Sequence, residues 1–217
     1  MIIEGFFYLK VNNFVLNMTF NIDVKGITAI IGESGSGKTT FLKCLSGLIK
    51  SQYGYLRINN IVFQNSYNNI FINANKRNIG HIMQTPVLFE HLSVLENINF
   101  GIKKHLNNHI NLYMLIRSLN LEKLLSKNIK QLSGGEKQRV CIAQIMLIQP
   151  DVILLDESFS AQDIKMKNKL FSFFKELNIK YSIPIICVSH NITEVEKFAD
   201  HICYMKYGSL ISYNFNI

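Results

Sequence analysis

The strongest constraint on the fold is a glycine-rich segment, Gly32–Thr39, which fits the pattern G-x-x-x-x-G-K-[ST] at every fixed position. A short apolar run, Gly26–Ile31, comes before it, and a segment with helical spacing, Thr39–Leu45, follows and stops near Gly47. In such a strand–loop–helix unit the glycines let the backbone wrap tightly, so that N–H groups and a helix N-terminus face a phosphate. Lys38 would reach the β- and γ-phosphates. The segment therefore predicts a nucleotide-binding α/β fold.

The rest of the chain alternates between short apolar runs and segments with helical spacing. Asp151–Leu155 and Pro184–Val188 have the length of buried strands, and a helical pattern around Lys165–Lys180 separates them. This alternation predicts a parallel sheet with helices on both faces. The first 25 residues alternate apolar with polar side chains in places, which indicates edge strands of an antiparallel sheet. Gly54–Phe63 also has a strand pattern.

The composition is that of an ordinary globular protein. Hydrophobic residues make up 48% of the chain and charged residues 18%, which excludes a disordered or collagen-like chain. The apolar runs are far shorter than the roughly 20 residues of a membrane-spanning helix, and the N-terminal MIIEGFF lacks the pattern of a secretory signal. Four scattered cysteines predict reduced core thiols in a cytosolic protein. The formal charge of +8 comes from distributed lysines, which favours a solvated surface over a phosphate-rich or lipid partner.

A second segment that points to phosphate chemistry, Val152–Glu157, is an apolar strand pattern that ends in two acids. Asp156 at the strand end is placed to hold Mg²⁺, directly or through water. Glu157 is one residue further along, points in a different direction, and is a candidate general base for an attacking water. Such an acidic dipeptide is common by itself. Together with Gly32–Thr39, it predicts a hydrolytic site in which the hydroxyl of Thr39 also binds the metal.

Two further polar residues follow predicted strands. Gln84 ends the segment Ile79–Gln84, and its amide could sense the metal and orient water. His190 ends the segment Pro184–His190, where a strand end would present its ring to the γ-phosphate. Taken alone, either residue is more often a polar loop residue than a catalytic one. Because ligands of open α/β sheets lie beyond the carboxyl ends of the strands, both positions are consistent with one shared site.

A second potential anion site lies at Leu132–Arg139, which reads Leu-Ser-Gly-Gly-Glu-Lys-Gln-Arg. Ser133 and the two glycines after it offer a hydroxyl and backbone N–H groups ahead of a helix that starts near Glu136. We call each such set of N–H groups at a helix start, at Gly32–Thr39 and at Ser133–Gly135, an anion cradle. One nucleotide does not need two cradles from one chain. We therefore expect this segment to close over a nucleotide that another subunit holds.

In these motifs the chain resembles the ATPases of the ABC transporter family over almost its entire length. The matching segments agree in order and spacing with the family's Walker A, Q-loop, signature, Walker B, D-loop and H-loop, and they are Gly32–Thr39, Gln84, Leu132–Arg139, Val152–Glu157, Ser160–Asp163 and His190. The resemblance implies an α/β fold of the P-loop NTPase class. That fold has a RecA-like parallel core, an N-terminal antiparallel β subdomain and an inserted α-helical subdomain.

The resemblance also implies the domain organisation. We expect one ABC ATPase domain over residues 1–217, with its core at 1–84 and 150–217. The helical subdomain would span about 85–149, where the apolar spacing is mainly helical.

The ligands that the resemblance implies are ATP and Mg²⁺, in a composite site. Two ATP molecules would lie between two head-to-tail subunits, each between Walker A of one and the signature of the other. The implied nucleotide-binding residues are Gly32, Glu33, Ser34, Gly35, Ser36, Gly37, Lys38, Thr39, Thr40, Ser133, Gly134, Gly135 and Tyr8. The implied catalytic residues are Glu157, His190, Gln84 and Lys38, and the implied metal ligands are Thr39, Gln84 and Asp156. Tyr8 is the candidate for stacking on adenine, and Phe14 is its rival.

The resemblance further implies partners and a location. The partners would be a second ATPase subunit in a homodimer, transmembrane permease subunits and a solute-binding protein, with no nucleic acid, at the cytoplasmic face of the inner membrane. Gln84 and the helical stretch after it are similar to the region that grips a membrane subunit. The segment Leu88–Gly101 is similar to that of bacterial importers for oxyanions and related small solutes. Its combination with Gly26–Ile30 and with the segment Ile183–His190 is most similar to the molybdate type. Because the chain ends soon after Leu210, the C-terminal oxyanion-sensing domain of many such ATPases is expected to be absent.

Three residues depart from the family pattern. Ser158 stands where the family usually has Pro, Gln162 replaces the usual Leu of the D-loop, and Glu90 replaces a common Pro. None of these changes removes a catalytic group. The change at Gln162 leaves the coupling between the two sites in question.

Two alternative functions are weaker matches to the sequence. A soluble ABC-type ATPase that acts on nucleic acid or ribosomes would suit the basic charge, but such proteins usually carry coiled-coil insertions, zinc-binding cysteines or a second ATPase domain. A P-loop kinase would explain Gly32–Thr39 but would leave Leu132–Arg139 and His190 without a role.

Overall fold

The structure is a computed structural model that describes residues 1–100, 102, 110–159 and 161–215. Its strands are β1 (Ile2–Val11), β2 (Phe14–Asp23), β3 (Ile27–Ile31), β4 (Tyr53–Ile58), β5 (Ile61–Asn65), β6 (Ile70–Phe71), β7 (Ile79–Ile82), β8 (Val152–Asp156), β9 (Ile185–Ser189), β10 (His201–Lys206) and β11 (Ser209–Phe215). Its α-helices are α1 (Lys38–Ser46), α2 (Val94–Phe100), α3 (Leu112–Ser118), α4 (Gly134–Met146), α5 (Ile164–Tyr181) and α6 (Ile192–Val195). Short 3₁₀ helices lie at Ala74–Lys76, Glu122–Leu124 and Ile129–Gln131.

The first sheet is antiparallel, with the strand order β2-β1-β4-β5-β6. The alternating pattern of the first 25 residues did indicate antiparallel strands, but of β1 and β2 only β2 lies at an edge of the sheet. β1 pairs with β2 on one side and with β4 on the other, so that Ile3 lies between Ile22 and Ile58. The edge prediction for β1 was wrong because side-chain alternation reports which face of a strand is buried, and says nothing of its hydrogen-bonding neighbours.

The second sheet has the strand order β11-β10-β3-β9-β8-β7. The strands from β10 to β7 in this order run parallel, and β11 joins β10 in antiparallel fashion. This confirms the predicted parallel sheet. Because parallel strands end at the same edge, the segments that follow β3, β7, β8 and β9 all emerge on one side of the molecule.

Both faces of the parallel sheet are buried in separate cores. Ile30 and Leu154 face a core that also contains the first sheet and α1, and Ile31 and Leu155 face a core with α4 and α5. Burial on both faces explains why these strands read as continuous apolar runs. Between β7 and β8 the chain forms α2, α3 and α4, which pack on the second core.

The cysteines are buried, as predicted for core thiols. Cys44, Cys187 and Cys203 lie in these two cores, and Cys141 is buried on α4. All of them are buried and free, and they are Cys44, Cys141, Cys187 and Cys203. Burial raises the pKa of Cys141 to about 11 and that of Cys44, Cys187 and Cys203 to about 12. Each thiol is therefore protonated at neutral pH, and its contribution is to packing.

Among the described residues, no helix is both long enough and apolar enough to cross a bilayer.

Candidate functional site

The glycine-rich loop connects the end of β3 to the start of α1. Gly37 is the N-cap of α1 with φ of 104°, and a Cβ there would also collide with the ring of Phe14. The loop therefore requires glycine at this position, both for its backbone angle and for space. The N-cap makes no side-chain hydrogen bond to α1, so the N–H groups of the first turn are left for a ligand. This is the geometry of an anion-binding helix start.

Lys38 is buried inside this loop. Its Nζ donates to the carbonyl oxygens of Gly32 at 2.7 Å and of Glu33 at 2.9 Å. Burial lowers the pKa of Lys38, and the nearby charges of Glu157 and Asp156 oppose that shift. The ammonium group is therefore held by the loop backbone and lies near the two acids at the end of β8.

Thr39 and Asp156 bring two oxygen ligands together at the base of the loop. The Thr39 hydroxyl donates to Oδ1 of Asp156 at 2.8 Å, and Asp156 is buried. Burial raises the pKa of Asp156, while the hydrogen bond from Thr39 opposes that shift. The described residues hold no group of three or more His, Cys, Asp or Glu side chains suited to a metal. A hydroxyl and one carboxylate beside a phosphate loop nevertheless fit Mg²⁺, which takes one or two protein carboxylates and completes its shell with phosphates and water.

Glu157 and His190 meet at the ends of β8 and β9. Nδ1 of His190 lies 3.2 Å from Oε1 of Glu157. The His190 side chain is 62% exposed and that of Glu157 21% exposed, so the pair is open to solvent on the histidine side. Glu157 is therefore accessible to a water molecule from the same edge of the sheet as the glycine-rich loop.

Gln84 follows β7 and is held in place by hydrogen bonds to the two residues before it. The Gln138 side chain in α4 donates from Nε2 to the carbonyl of Met83 at 3.1 Å. The Ser158 hydroxyl donates to the carbonyl of Ile82 at 2.9 Å. The segment that carries Gln84 is therefore tied both to α4 and to the residue after Glu157.

Many of the site residues that were predicted from the sequence line one open cavity. The predicted residues that line it are Ser34, Gly35, Gly37, Lys38, Thr39, Thr40, Gln84 and Glu157. Asp156 adjoins this cavity through Thr39, and His190 adjoins it through Glu157. The remaining predicted loop residues, which are outside its lining, are Gly32, Glu33 and Ser36. Ser36 is buried with its hydroxyl 3.5 Å from Nζ of Lys38.

The two candidate aromatic residues lie in different places. Phe14 lines the cavity and lies next to Gly37. Tyr8 is in the middle of β1, is outside the cavity lining, and has its ring centroid 6.1 Å from that of Tyr53 in β4. The turn between β1 and β2 brings the start of β2 to the loop and leaves Tyr8 on the sheet.

The second predicted cradle is the start of α4. Ser133 is the N-cap, its side chain accepts a hydrogen bond from the N–H of Glu136, and the Glu136 carboxylate accepts one from the N–H of Ser133. Glu136 has a lowered pKa because of this backbone hydrogen bond. Among the described residues, neither Ser133 nor Gly134 nor Gly135 lines the cavity at the glycine-rich loop. The two cradles therefore do not share one cavity within the chain.

Three polar residues without an assigned role in the sequence analysis are buried around these segments. Gln138 and Ser158 hold the segment before Gln84, and Gln162 contacts the start of α4. In the sequence, Ser158 and Gln162 could have been recognised as unusual because they depart from the family pattern. Gln138 lies inside the signature segment, where its helical spacing from Gly134 and Gly135 places it on the same side of α4.

Comparisons with known proteins agree with these motifs. A family model described as ABC transporter matches residues 15–160. The chain is 40% identical over 189 residues to the molybdenum import ATP-binding protein ModC of Pseudomonas syringae pv. tomato, covering 86% of this chain and 52% of that protein. It is 36% identical over 211 residues to the protein of the same name from Methylococcus capsulatus, covering 97% of this chain and 59% of that protein.

A solved structure has the same fold. It is a dimeric ATP-binding cassette in a post-hydrolysis state with ADP and Pi bound, with a TM-score of 0.82, 25% sequence identity and 98% of each chain covered. The chain thus matches this cassette over nearly its full length, whereas it spans only between half and three fifths of the two ModC relatives. Since the family model covers more than half of the chain, the chain belongs to the ABC transporter family.

Proposed function

We propose that this chain binds and hydrolyses ATP as one of a pair of subunits that energise an ABC transporter. The observation that carries the proposal is the separation of two anion cradles. The loop at Gly32–Thr39 lies beside Asp156 and Glu157. Among the described residues, Ser133–Gly135 do not line the cavity at this loop. A second copy, arranged head to tail, would bring its own Ser133–Gly135 to the nucleotide. The solved dimeric cassette of similar fold supports such a pair.

In this proposal the loop residues bind the phosphates of ATP. The N–H groups at the start of α1 would face the β-phosphate. Lys38 would exchange its present bonds to the Gly32 and Glu33 carbonyls for bonds to the β- and γ-phosphate oxygens. For the adenine ring we favour Phe14 over Tyr8, because Phe14 lines the same cavity.

The proposed metal ligands are Thr39, Asp156 and Gln84. The 2.8 Å contact between Thr39 and Asp156 supports the first two, and Gln84 lines the cavity that holds Thr39. When bound, Mg²⁺ would supply positive charge that offsets the negative charge of the ATP phosphates.

For hydrolysis we assign Glu157 as the general base. Its carboxylate would take a proton from the water that attacks the γ-phosphate in line with the leaving oxygen. His190 would keep Glu157 oriented and face the same phosphate. Lys38 would stabilise the charge that develops in the transition state, together with Ser133 of the partner subunit.

The proposed biological setting is a small-solute importer of the oxyanion type. The names of the two ModC relatives support import of molybdenum over an action on nucleic acid. The partners would be transmembrane permease subunits and a solute-binding protein, at the cytoplasmic face of the inner membrane. We also propose the single-domain organisation with a helical subdomain at about 85–149, which α2, α3 and α4 support.

Complementation between two inactive variants tests the composite site. Lys38→Ala disables the phosphate loop and leaves the signature intact, and Ser133→Arg does the reverse. Each variant alone should show no ATP hydrolysis, and a mixture should recover part of the activity, because one mixed site in each heterodimer is intact. If folded and associating variants recover nothing when mixed, the composite site is wrong.

A second experiment separates the importer from the nucleic-acid alternative. The tagged chain is purified from detergent-solubilised membranes and, in parallel, from a lysate with and without nuclease. The importer predicts that a polytopic membrane protein co-purifies and that nuclease changes nothing. Recovery of nucleic acid in a nuclease-sensitive complex, without a membrane protein, would overturn this assignment.

A further inference from the structure

The Gln162 side chain joins the segment after Glu157 to the first turn of α4. Its Nε2 donates to the carbonyl of Gly135 at 2.8 Å, and its Oε1 accepts from Nη1 of Arg139 at 3.1 Å. Gln162 is only 8% exposed. Both hydrogen bonds therefore form away from bulk water, where an unmade bond is costly.

The chemistry of the two partners fixes the orientation of this amide. A backbone carbonyl only accepts, and a guanidinium only donates, so Nε2 must face Gly135 and Oε1 must face Arg139. The packing is equally tight, because a Cβ on Gly135 would lie 3.0 Å from the Ala161 carbonyl oxygen and 3.1 Å from Oε1 of Gln162. Gly135 is thus the residue that lets this segment approach α4 so closely.

A leucine at this position, the usual residue of the family, could make neither hydrogen bond. It would pack against α4 but would leave the Gly135 carbonyl and the Arg139 guanidinium without these partners. Arg139 is itself half-buried, and Nε of this guanidinium has no hydrogen-bond partner. The substitution of Leu by Gln therefore replaces a nonspecific apolar contact with two directed contacts to the signature helix.

The position of Gln162 in the chain gives these contacts a consequence for the site. The N–H of Gln162 donates to the carbonyl of Phe159 at 3.1 Å, in a turn two residues after Glu157. The same side chain holds the α4 turn that begins at Ser133. The backbone of Gln162 thus belongs to the turn after Glu157, whereas its side chain hydrogen-bonds to α4, the helix of the second cradle.

We propose that Gln162 is a positioning residue that fixes the Ser133–Gly135 cradle of its own chain for the nucleotide bound by the partner. The proposal rests on the composite site proposed above. Gln162 would therefore affect the site that consists of the partner's phosphate loop and the signature segment of the chain that carries Gln162. Loss of the amide should reduce kcat by about tenfold to a hundredfold through misplacement of that cradle. The KM for ATP should change little, since the phosphate loop of the other chain holds the nucleotide.

The two inactive variants of the complementation assay, Lys38→Ala and Ser133→Arg, allow a direct test, and each serves here as the carrier of a second substitution. Gln162→Met, which keeps the volume and removes both hydrogen bonds, is placed either on the Lys38→Ala chain or on the Ser133→Arg chain. On the Lys38→Ala chain, which supplies the working signature, it should lower the kcat of the mixture. On the Ser133→Arg chain, whose signature is already disabled, it should have no effect. Lys165→Ala, an exposed change nearby on α5, should have no effect on either carrier.

The outcomes separate this inference from the proposed function. Equal losses on both carriers, or no loss on either, would overturn the role of Gln162 while leaving the composite site intact, provided that the unmodified mixture is active. An inactive unmodified mixture would overturn the composite site itself. Binding of a fluorescent ATP analogue and thermal unfolding are measured for each chain, and a Gln162→Met chain that loses nucleotide binding would also contradict the positioning role.

Discussion

His190 and Glu157 form a contact between the ends of two neighbouring parallel strands, with Nδ1 of the histidine 3.2 Å from the carboxylate. The backbone of Glu157 has φ of 46°, a left-handed conformation that side-chain-bearing residues adopt only where the surroundings impose it. The N–H of Glu157 donates to the carbonyl of Val188 at 3.3 Å, which holds this turn against β9. The strained turn therefore directs the carboxylate toward His190 and the open edge of the sheet.

The first prediction concerns the carboxylate of Glu157. Glu157→Gln keeps the size of the side chain and removes the carboxylate that we propose accepts the proton from water. We expect kcat for ATP hydrolysis to fall by about a hundredfold to ten-thousandfold, with ATP affinity retained. With ATP bound, the variant should accumulate as a closed dimer, measured by size-exclusion chromatography. Turnover at the wild-type rate would remove Glu157 from the role of general base.

The second prediction concerns His190. Because its side chain is largely exposed, His190→Ala should leave the free energy of unfolding within about 0.5 kcal/mol of wild type. Hydrolysis should nevertheless fall about a hundredfold, because Glu157 loses its orienting partner. The matched control is His91→Ala, another exposed histidine, which lies outside the cavity lining and should keep wild-type turnover. Equal rates for both variants and the wild type would show that the contact has no part in catalysis.

The local parts of the site were predictable from the sequence. The strand and the helix around the glycine-rich loop were predicted at Gly26–Ile31 and Thr39–Leu45. The strand begins one residue later in the structure, and the helix is one residue longer at each end. Gly47 ends α1 in a left-handed conformation with φ of 78°, as its position indicated. These features follow from backbone requirements that glycine meets within a few residues of sequence, so no knowledge of the fold was needed.

The non-local parts were not predictable in the same way. Tyr8 and Phe14 are equivalent as sequence signals, and only the pairing of β1 with β2 brings Phe14 to Gly37. Gln162 and Gly135 are separated by 27 positions and meet only because α4 and the turn after β8 pack together. Sequence spacing carries no information about such contacts, which depend on the final packing of elements far apart in the chain.

The third prediction concerns Arg77, a buried cation at the end of α1. Its Nη1 donates to the carbonyls of Cys44 at 2.9 Å and Leu45 at 2.7 Å, where the helix dipole is negative. Burial lowers its pKa to about 10, so it stays charged at neutral pH. Arg77→Met would leave both carbonyls without these donors and should lower the free energy of unfolding by about 3 kcal/mol.

Guanidinium chloride unfolding at neutral pH measures this loss for Arg77→Met. The matched control is Lys76→Met, because Lys76 is the adjacent residue and is exposed. The control should remain within about 0.5 kcal/mol of wild type. A loss of less than about 1 kcal/mol for Arg77→Met would mean that water or another group satisfies the carbonyls at the end of α1.

The last prediction concerns the pH dependence of stability through His81 in β7. Burial, and then the charge of Lys43, lower the pKa of His81 from 6.5 to about 4. Between these values the unfolded chain binds the proton and the folded chain does not, so protonation favours unfolding as pH falls. Through His81, the wild type should lose about 2 kcal/mol of its free energy of unfolding between about pH 7 and about pH 4.5. The variant His81→Gln should lack this part of the loss, as measured by urea unfolding at each pH. His91→Gln, at an exposed histidine, should follow the wild-type curve, and identical curves for both variants would contradict the assignment to His81.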